Sequence, residues 1–519
     1  MTHLLIALGA LAPAALMLLA MLLSLQSALS IGRLWRIFVG LSGVAVVCAL
    51  VAGWAGQEST TLRPWLSASA LGTVMAVLVQ LLGTVIAAFS SRYLDGEPGQ
   101  RRYLVALAGV LSAVHLLLLA DHWLVLIAAW ALVGAALQHL LCFYPDRPFA
   151  LLAAHKKRIA DRVADVLLIA AAVISWGEVG SGSLSSLWIH LDREGMSLLQ
   201  QISAVCLVLA VILRTALLPV HGWLIQVMEA PTPVSALLHA GVVNLGGYVL
   251  IRFAPLLEEA VLARTLLLVF GLGTAVLAGL VMLTRISIKV RLAWSTVAQM
   301  GFMLLECGLG LYTLAALHLI GHSLYKAHVF LSASTAVRQT RLQAMRGTLA
   351  PTPSSLWLAP TVTVTAVLLI QTALASTAWP WWWSAVLGLA WAPLLWLTTQ
   401  TVGARALCRQ GLAGLLMVVG LTGAALLAHA LPLGIHDVPQ HGLGLIALIV
   451  MAALYLWLVV LQLRPQALQA WRRWSYAGFY VDEIYTRLAL QLWPTRWTPE
   501  RPPAVSARTC PLVAADASK

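Results

Sequence analysis

The sequence predicts an all-α polytopic membrane protein with about 15 transmembrane helices, and three observations carry that reading. Of its 519 residues, 61% are hydrophobic and only 10% are charged, against roughly 25% charged in soluble domains. The mean hydropathy is +0.90. Apolar stretches of the ~20 residues needed to cross a ~30 Å hydrocarbon core recur fifteen times along the chain.

The first stretch, 3–29, has no Lys or Arg before it and no small-residue cleavage site, so it reads as a retained helix and not a signal peptide. Stretches at 35–55, 67–90, 103–120 and 122–143 follow, with His115 and His139 inside the last two. The sixth, 163–178, opens just after the basic run HKKRIADR and carries Asp165. Residues 179–201 form a short amphipathic surface segment. The seventh, 202–220, holds Arg214 and is interrupted by Pro219. The eighth, 232–255, is preceded by Glu229 and by Pro231 and Pro233, a stiff extended lead into the helix. The ninth to eleventh, 260–283, 289–309 and 311–336, contain Glu306 and the run HLIGHSLYK. The last four, 356–378, 380–400, 410–430 and 441–463, include a second interrupting proline, Pro360. Each proline removes a backbone donor, and two readings fit: a simple kink, or a broken helix whose freed carbonyls line a wet cavity. Residues 1–463 are thus read as one membrane domain and 464–519 as a short cytoplasmic or interfacial tail. The tail segment WSYAGFYVDEIYTRLALQLW is expected to lie on the membrane surface or on a partner.

A formal charge of +13 raises the possibility of nucleic acid, but the basic residues are scattered between spans and so report topology. Odd-numbered connections collect Arg33, Arg36, Arg92, Arg101, Arg102, Lys156, Lys157, Arg158, Arg285, Lys289, Arg338, Arg341 and Arg346, while even-numbered ones are enriched in Asp and Glu. The positive-inside rule then puts the N-terminus outside and the C-terminus inside. The six cysteines show no metal-ligand spacing and read as packing residues.

Ionisable groups inside a bilayer cost ~2.5–3.5 kcal/mol each even on the mildest scale, so each needs a reason. His318, His322 and Lys326 repeat at i, i+4 and i+8 and fall along one face of a helix. Three readings fit the pattern: a proton relay built from groups that titrate with small energy steps, a zinc site on H-x3-H spacing that lacks a nearby third ligand, and a polar cluster holding helices together. Arg214 stays charged under almost all conditions, so it is suited to pairing with an anion and not to passing a proton.

The segments MEAPTPVSALLHAGVVNLGGYVLIR (228–252), SIKVRLAWSTVAQMGFMLL (287–305) and LHLIGHSLYKAHVFLSAS (317–334) resemble the antiporter-like subunits shared by respiratory complex I, membrane-bound hydrogenases and Mrp-type cation/proton antiporters. The resemblance covers roughly residues 60–345. It implies two inverted-topology repeats, a broken helix in each, and a proton-conducting chain of buried Lys, His and Glu along the midplane. By the same resemblance Asp165, in RVAD, takes the place of an acidic residue near the first half-channel. His239 matches the histidine after the Pro-Thr-Pro motif, and His318, His322 and Lys326 match the central relay. Departures are also visible. The family's Trp-Glu pair is Trp130 followed by Ala131, its lysine in the seventh span is Arg214, and no ionisable residue stands between Arg346 and Arg405. His139, Glu229 and Glu306 complete the candidate proton or cation path.

With GFYVDEIYTRL in its tail, the chain most resembles the DabB-type membrane subunits of inorganic-carbon accumulation complexes. That resemblance implies a transporter subunit and not an enzyme, located in a bacterial inner membrane. Its partner would be a large DabA-type, carbonic-anhydrase-like subunit that carries zinc, while this chain holds no cofactor. An ion gradient of H+ or Na+ would drive CO2 hydration to bicarbonate on that partner. The alternatives are a proton-pumping subunit of a respiratory NADH-quinone or hydrogenase complex, an Mrp-like antiporter subunit, and a scaffold that has lost conduction.

Overall fold

The computed structural model describes residues 2–54, 64–332, 350–374, 378–398, 403–464, 466 and 468–495. Arg338, Arg341, Arg346 and the tail beyond 495 with one of the six cysteines, all used in the sequence reading, lie outside the described residues.

The described residues of each of the fifteen apolar stretches lie mainly in helix, because lipid offers backbone groups no hydrogen bonds and a helix satisfies them internally. The helices are α1 (Thr2–Leu25), α2 (Ile31–Trp54), α3 (Ala70–Tyr93), α4 (Gln100–Leu119), α5 (Trp123–Leu141), α6 (Pro148–Val179), the surface helix α7 (Leu184–Glu194), α8 (Leu198–Arg214), the short α9 (Gly222–Gln226), α10 (Thr232–Ala240), α11 (Leu245–Arg252), α12 (Ala254–Leu257), α13 (Val261–Leu283), α14 (Ile288–Leu309) and α15 (Tyr312–Leu331). After them come α16 (Pro353–Ala373), α17 (Trp381–Trp391), α18 (Ala404–His429), α19 (His441–Leu463) and the tail helices α20 (Gln469–Tyr476) and α21 (Val481–Leu492). Among the described residues, 10 helical segments are long and apolar enough to cross a membrane, and three shorter apolar helices accompany them. Helices α6 and α15, which carry charged and imidazole side chains, are not among these.

The core lies in the middle of the chain. The α10–α11 span is 89% buried, whereas the window over α18 is 17% buried and presents its apolar side chains outward. Helices α13 and α14 meet backbone to backbone at Gly271 and Gly301, where a Cβ on either residue would stand 2.7 Å from the other helix. Small residues at such a crossing allow the close approach that drives association in lipid.

The helix breaks divide into one that follows the sequence and one that does not. After Arg214 the chain leaves the helix, with Ala216 in the left-handed region (φ 57), and resumes as α9, so Pro219 does mark a broken span. Pro360 does not, which removes the broken-helix reading there and leaves a proline within a continuous helix. Helix α16 runs straight through it. The carbonyl left without a donor by Pro360 is that of Leu356, and the Tyr455 hydroxyl on α19 donates to it at 2.8 Å. Because a neighbouring helix supplies the missing donor, the ladder continues. The second-half span that loses its regular helix is the next one, where α17 passes into a 3-10 turn at Ala392–Leu395 containing Pro393. A third interruption, Gly241–Asn244 between α10 and α11, carries no proline and left no mark in the sequence.

Candidate functional site

The site forms where α15 crosses α10, α11 and α14. The four-residue spacing of His318, His322 and Lys326 puts them on the buried face of α15. Lys326 is wholly buried, and its Nζ donates to the Leu292 carbonyl at 3.0 Å and the Ser295 hydroxyl at 2.9 Å, both on α14. Neither acceptor is charged, and no carboxylate pairs with Lys326 among the described residues.

One turn before it, His322 is buried with neither ring nitrogen hydrogen-bonded. His239 of α10 is in the same condition, wholly buried and stacked on Phe330 at 4.6 Å between ring centroids. Lys326, His318 and His239 all act electrostatically on His322. The His318 ring is 6.2 Å from that of His322, and its Nδ1 lies 2.8 Å from Glu306 Oε2. Glu306 comes from the buried end of α14. The structure therefore brings together five of the sequence candidates in the order Glu306, His318, His322, Lys326, with His239 alongside. Beside them Asn244, at the interruption between α10 and α11, donates to the Ser323 hydroxyl at 2.7 Å.

Asp165 and Arg214 form a separate pair. The Arg214 guanidinium bonds to the Asp165 carboxylate, donates to the Trp130 carbonyl at 3.0 Å and lies over the Trp130 ring at 4.7 Å. Trp130 is thus occupied in spite of the missing glutamate at position 131. The remaining two candidates are not drawn in. Glu229 is exposed, and only its backbone carbonyl is engaged, accepting from Arg147 at 2.7 Å. His139 is exposed on α5 and faces a surface cleft shared with Leu18, Met21 and Arg102. Two other ionisable groups of the spans have local partners: Arg252 pairs with Asp121 at 3.0 Å, and His115 with the Ala10 carbonyl at 2.8 Å.

Sequence reasoning missed a second polar cluster. Lys156 of α6 is wholly buried, 2.5 Å from Asp482 of the tail helix α21 and 2.8 Å from the Thr486 hydroxyl. The signal was present on both sides, a basic run before the sixth span and a carboxylate in an amphipathic tail. Their pairing across the chain is what only the fold reveals. Among the described residues no three His, Cys, Asp or Glu side chains converge to hold a metal ion.

The family description "NADH:quinone oxidoreductase/Mrp antiporter, TM" fits residues 120–349, which include α5 to α15. A probable inorganic carbon transporter subunit DabB of Hydrogenovibrio crunogenus is 40% identical over 446 residues, covering 83% of this chain and 84% of that protein. A probable inorganic carbon transporter subunit DabB2 of Halothiobacillus neapolitanus is 47% identical over 52% of this chain and 49% of that protein. Among solved structures, the Mrp complex of Dietzia sp. DQ12-45-1b superposes with a TM-score of 0.62 at 24% identity, over 91% of this chain and 59% of that one, so the fold is shared. The chain belongs to the NADH:quinone oxidoreductase/Mrp antiporter family of membrane subunits, among its DabB-type members.

Proposed function

We propose that this chain is the proton-conducting membrane subunit of an inorganic-carbon uptake complex in a bacterial inner membrane. A large DabA-type, carbonic-anhydrase-like partner would hold zinc and hydrate CO2, driven by the gradient this chain dissipates. The observation that carries the reading is Lys326, a buried amine with only neutral acceptors, next to two buried imidazoles with no hydrogen bonds. A purely structural polar cluster satisfies its members. Here the central bases are left free to accept protons. The names of the similar DabB proteins support the substrate class.

Mechanistically, a neutral Lys326 accepts a proton from one side, and the positive charge lowers the affinity of His322 and His239 for theirs. A proton held on His322 is therefore pushed toward His318 and Glu306. The Arg214 guanidinium, paired with Asp165, stays charged throughout and supplies a fixed local field.

The test is bicarbonate uptake, followed with 14C, and growth at ambient CO2 in a bacterium lacking carbonic anhydrase, expressing this chain with its neighbouring large subunit. Uptake should require both proteins, collapse with a protonophore, and fall about tenfold or more in Lys326→Ala and His322→Ala, the scale expected for losing a proton-transfer group. Absence of rescue by the wild-type pair overturns the carbon-uptake reading in favour of a respiratory pump subunit. Unchanged uptake in Lys326→Ala overturns conduction and leaves a scaffold.

A further inference from the structure

The tail does not simply lie on the surface. Helix α20 docks against α13, with the Ser475 hydroxyl donating to the Leu280 carbonyl at 3.1 Å. The chain then turns sharply through Gly478, Phe479 and Tyr480, all at positive φ of 56–65°, a conformation that non-glycine residues adopt only when surroundings enforce it. The turn aims the start of α21 into the break between α8 and α10. Asp482 arrives directly against Gly222: a Cβ on residue 222 would stand 1.4 Å from Asp482 Oδ1. No side chain other than hydrogen fits there while Asp482 is in place.

Two side chains hold the Asp482 carboxylate, and the tail holds one of them in turn. Lys156 Nζ is 2.5 Å from Oδ1, Gln226 Nε2 donates to Oδ2 at 3.1 Å, and Thr486 and Tyr485 bind Lys156 from the tail side, the Tyr485 hydroxyl donating to its carbonyl at 2.9 Å. Adjacent to Gly222 is His221, which is wholly buried and makes no hydrogen bond of normal geometry, with the Pro219 carbonyl beside it. Its ring packs on Trp294 at 4.8 Å. The residue after Trp294 is Ser295, whose hydroxyl is 2.9 Å from Lys326 Nζ. Lys156, Arg285 and Asp482 are the charged groups acting on His221.

The geometry points to the C-terminal helix as the mouth of the conducting path: Asp482 takes up protons from the tail side and passes them through His221 toward Lys326. In one cycle the Asp482 carboxylate gains a proton, gives it to an imidazole nitrogen of His221, and His221 yields it to neutral Lys326, so that each donor returns to its starting form. This rests on the proposed conduction through Lys326 and adds a carboxylate supplied by the tail. Deep relay groups without a surface-connected acid would exchange protons slowly with water, and Asp482 is the carboxylate that the fold inserts beside the break.

The test uses the full chain in proteoliposomes loaded with a pH-sensitive dye, with a potassium gradient and valinomycin setting the potential. Wild type, Lys326→Ala, Asp482→Asn and His221→Phe are compared. His221→Phe keeps a ring on Trp294 and removes no well-formed hydrogen bond, so its gel-filtration profile should match wild type while its proton flux falls about tenfold or more. Asp482→Asn should lose flux similarly, with Asp482→Glu restoring part of it. Wild-type flux in His221→Phe, with Lys326→Ala inactive, overturns the tail mouth and leaves central conduction standing. Equal flux in wild type and Lys326→Ala removes the conduction on which it rests.

Discussion

Replacing Asp165 with alanine should destabilise the protein severely, and the size of the effect follows from what Arg214 would then face. The guanidinium is 4% exposed, and the carboxylate it binds is 14% exposed. Without Asp165, Arg214 keeps only the Trp130 carbonyl at 3.0 Å and the Trp130 ring, while its Nε already lacks a partner. Arginine cannot escape by losing its proton. Removing one member of a buried ion pair costs about 3–5 kcal/mol, and the partial exposure of Asp165 sets the expectation at the lower end, about 3 kcal/mol. Replacing the whole pair, as Asp165→Ala with Arg214→Met, removes the stranded charge along with its partner and should recover to within about 1 kcal/mol of wild type. The assay is steric trapping in bicelles, which measures unfolding free energy in a lipid environment, on wild type, both single variants and the double variant. A single variant within about 0.5 kcal/mol of wild type, or a double variant whose loss equals the sum of the two singles, would refute the pairing argument.

Two further predictions come from other parts of the fold. Tyr455→Phe strands the Leu356 carbonyl opposite Pro360 and removes its 2.8 Å bond; it should lower stability by about 1–2 kcal/mol in the same assay, and an unchanged value would mean that the helix bridges Pro360 without help. Replacing Na+ with choline should leave wild-type proton flux in proteoliposomes unchanged, since the centre is dominated by imidazole nitrogens and an amine, with the Leu292 carbonyl and Ser295 hydroxyl already bonded to Lys326 and the single carboxylate of the row, Glu306, bonded to His318, a poor set for a hard cation. A flux that needs Na+ would reverse that assignment.

The membrane architecture was legible because lipid forces every span to be both apolar and helical, so composition and structure report the same constraint. The central row was legible for a related reason: a spacing of four fixes a shared helix face whatever the helix packs on. What the sequence could not supply was anything decided between distant helices. Glu306 and His318 meet only because α14 and α15 pack side by side, and Pro360 is harmless only because Tyr455, 99 residues from the carbonyl it binds, supplies a donor. Glu229 and His139 show the converse. A charged or imidazole side chain beside a motif can face either way, and both face outward. Lys156 and Asp482 are 326 residues apart, and neither carries a local mark that predicts the other.

The charged groups of the membrane region fall into two kinds, and the division follows from their partners. Asp165 with Arg214, and Asp121 with Arg252, are pairs in which the cation never titrates, so they hold helices and shape the field but cannot hand on a proton. Glu306, His318, His322, His239 and Lys326 are groups of the other kind, each able to change charge, and none is locked to an arginine. An arginine at position 214 therefore does more than supply a positive charge: where a lysine could share protons, it is a fixed counter-ion for Asp165. The titratable row is left on α10, α14 and α15, and in the proposed conduction protons join it from a group outside the arginine pairs. The break beside α9 is where the fold brings such a group, Asp482, next to a buried imidazole, so the fixed charge at Arg214 and the carboxylate carried by the tail are two halves of one arrangement.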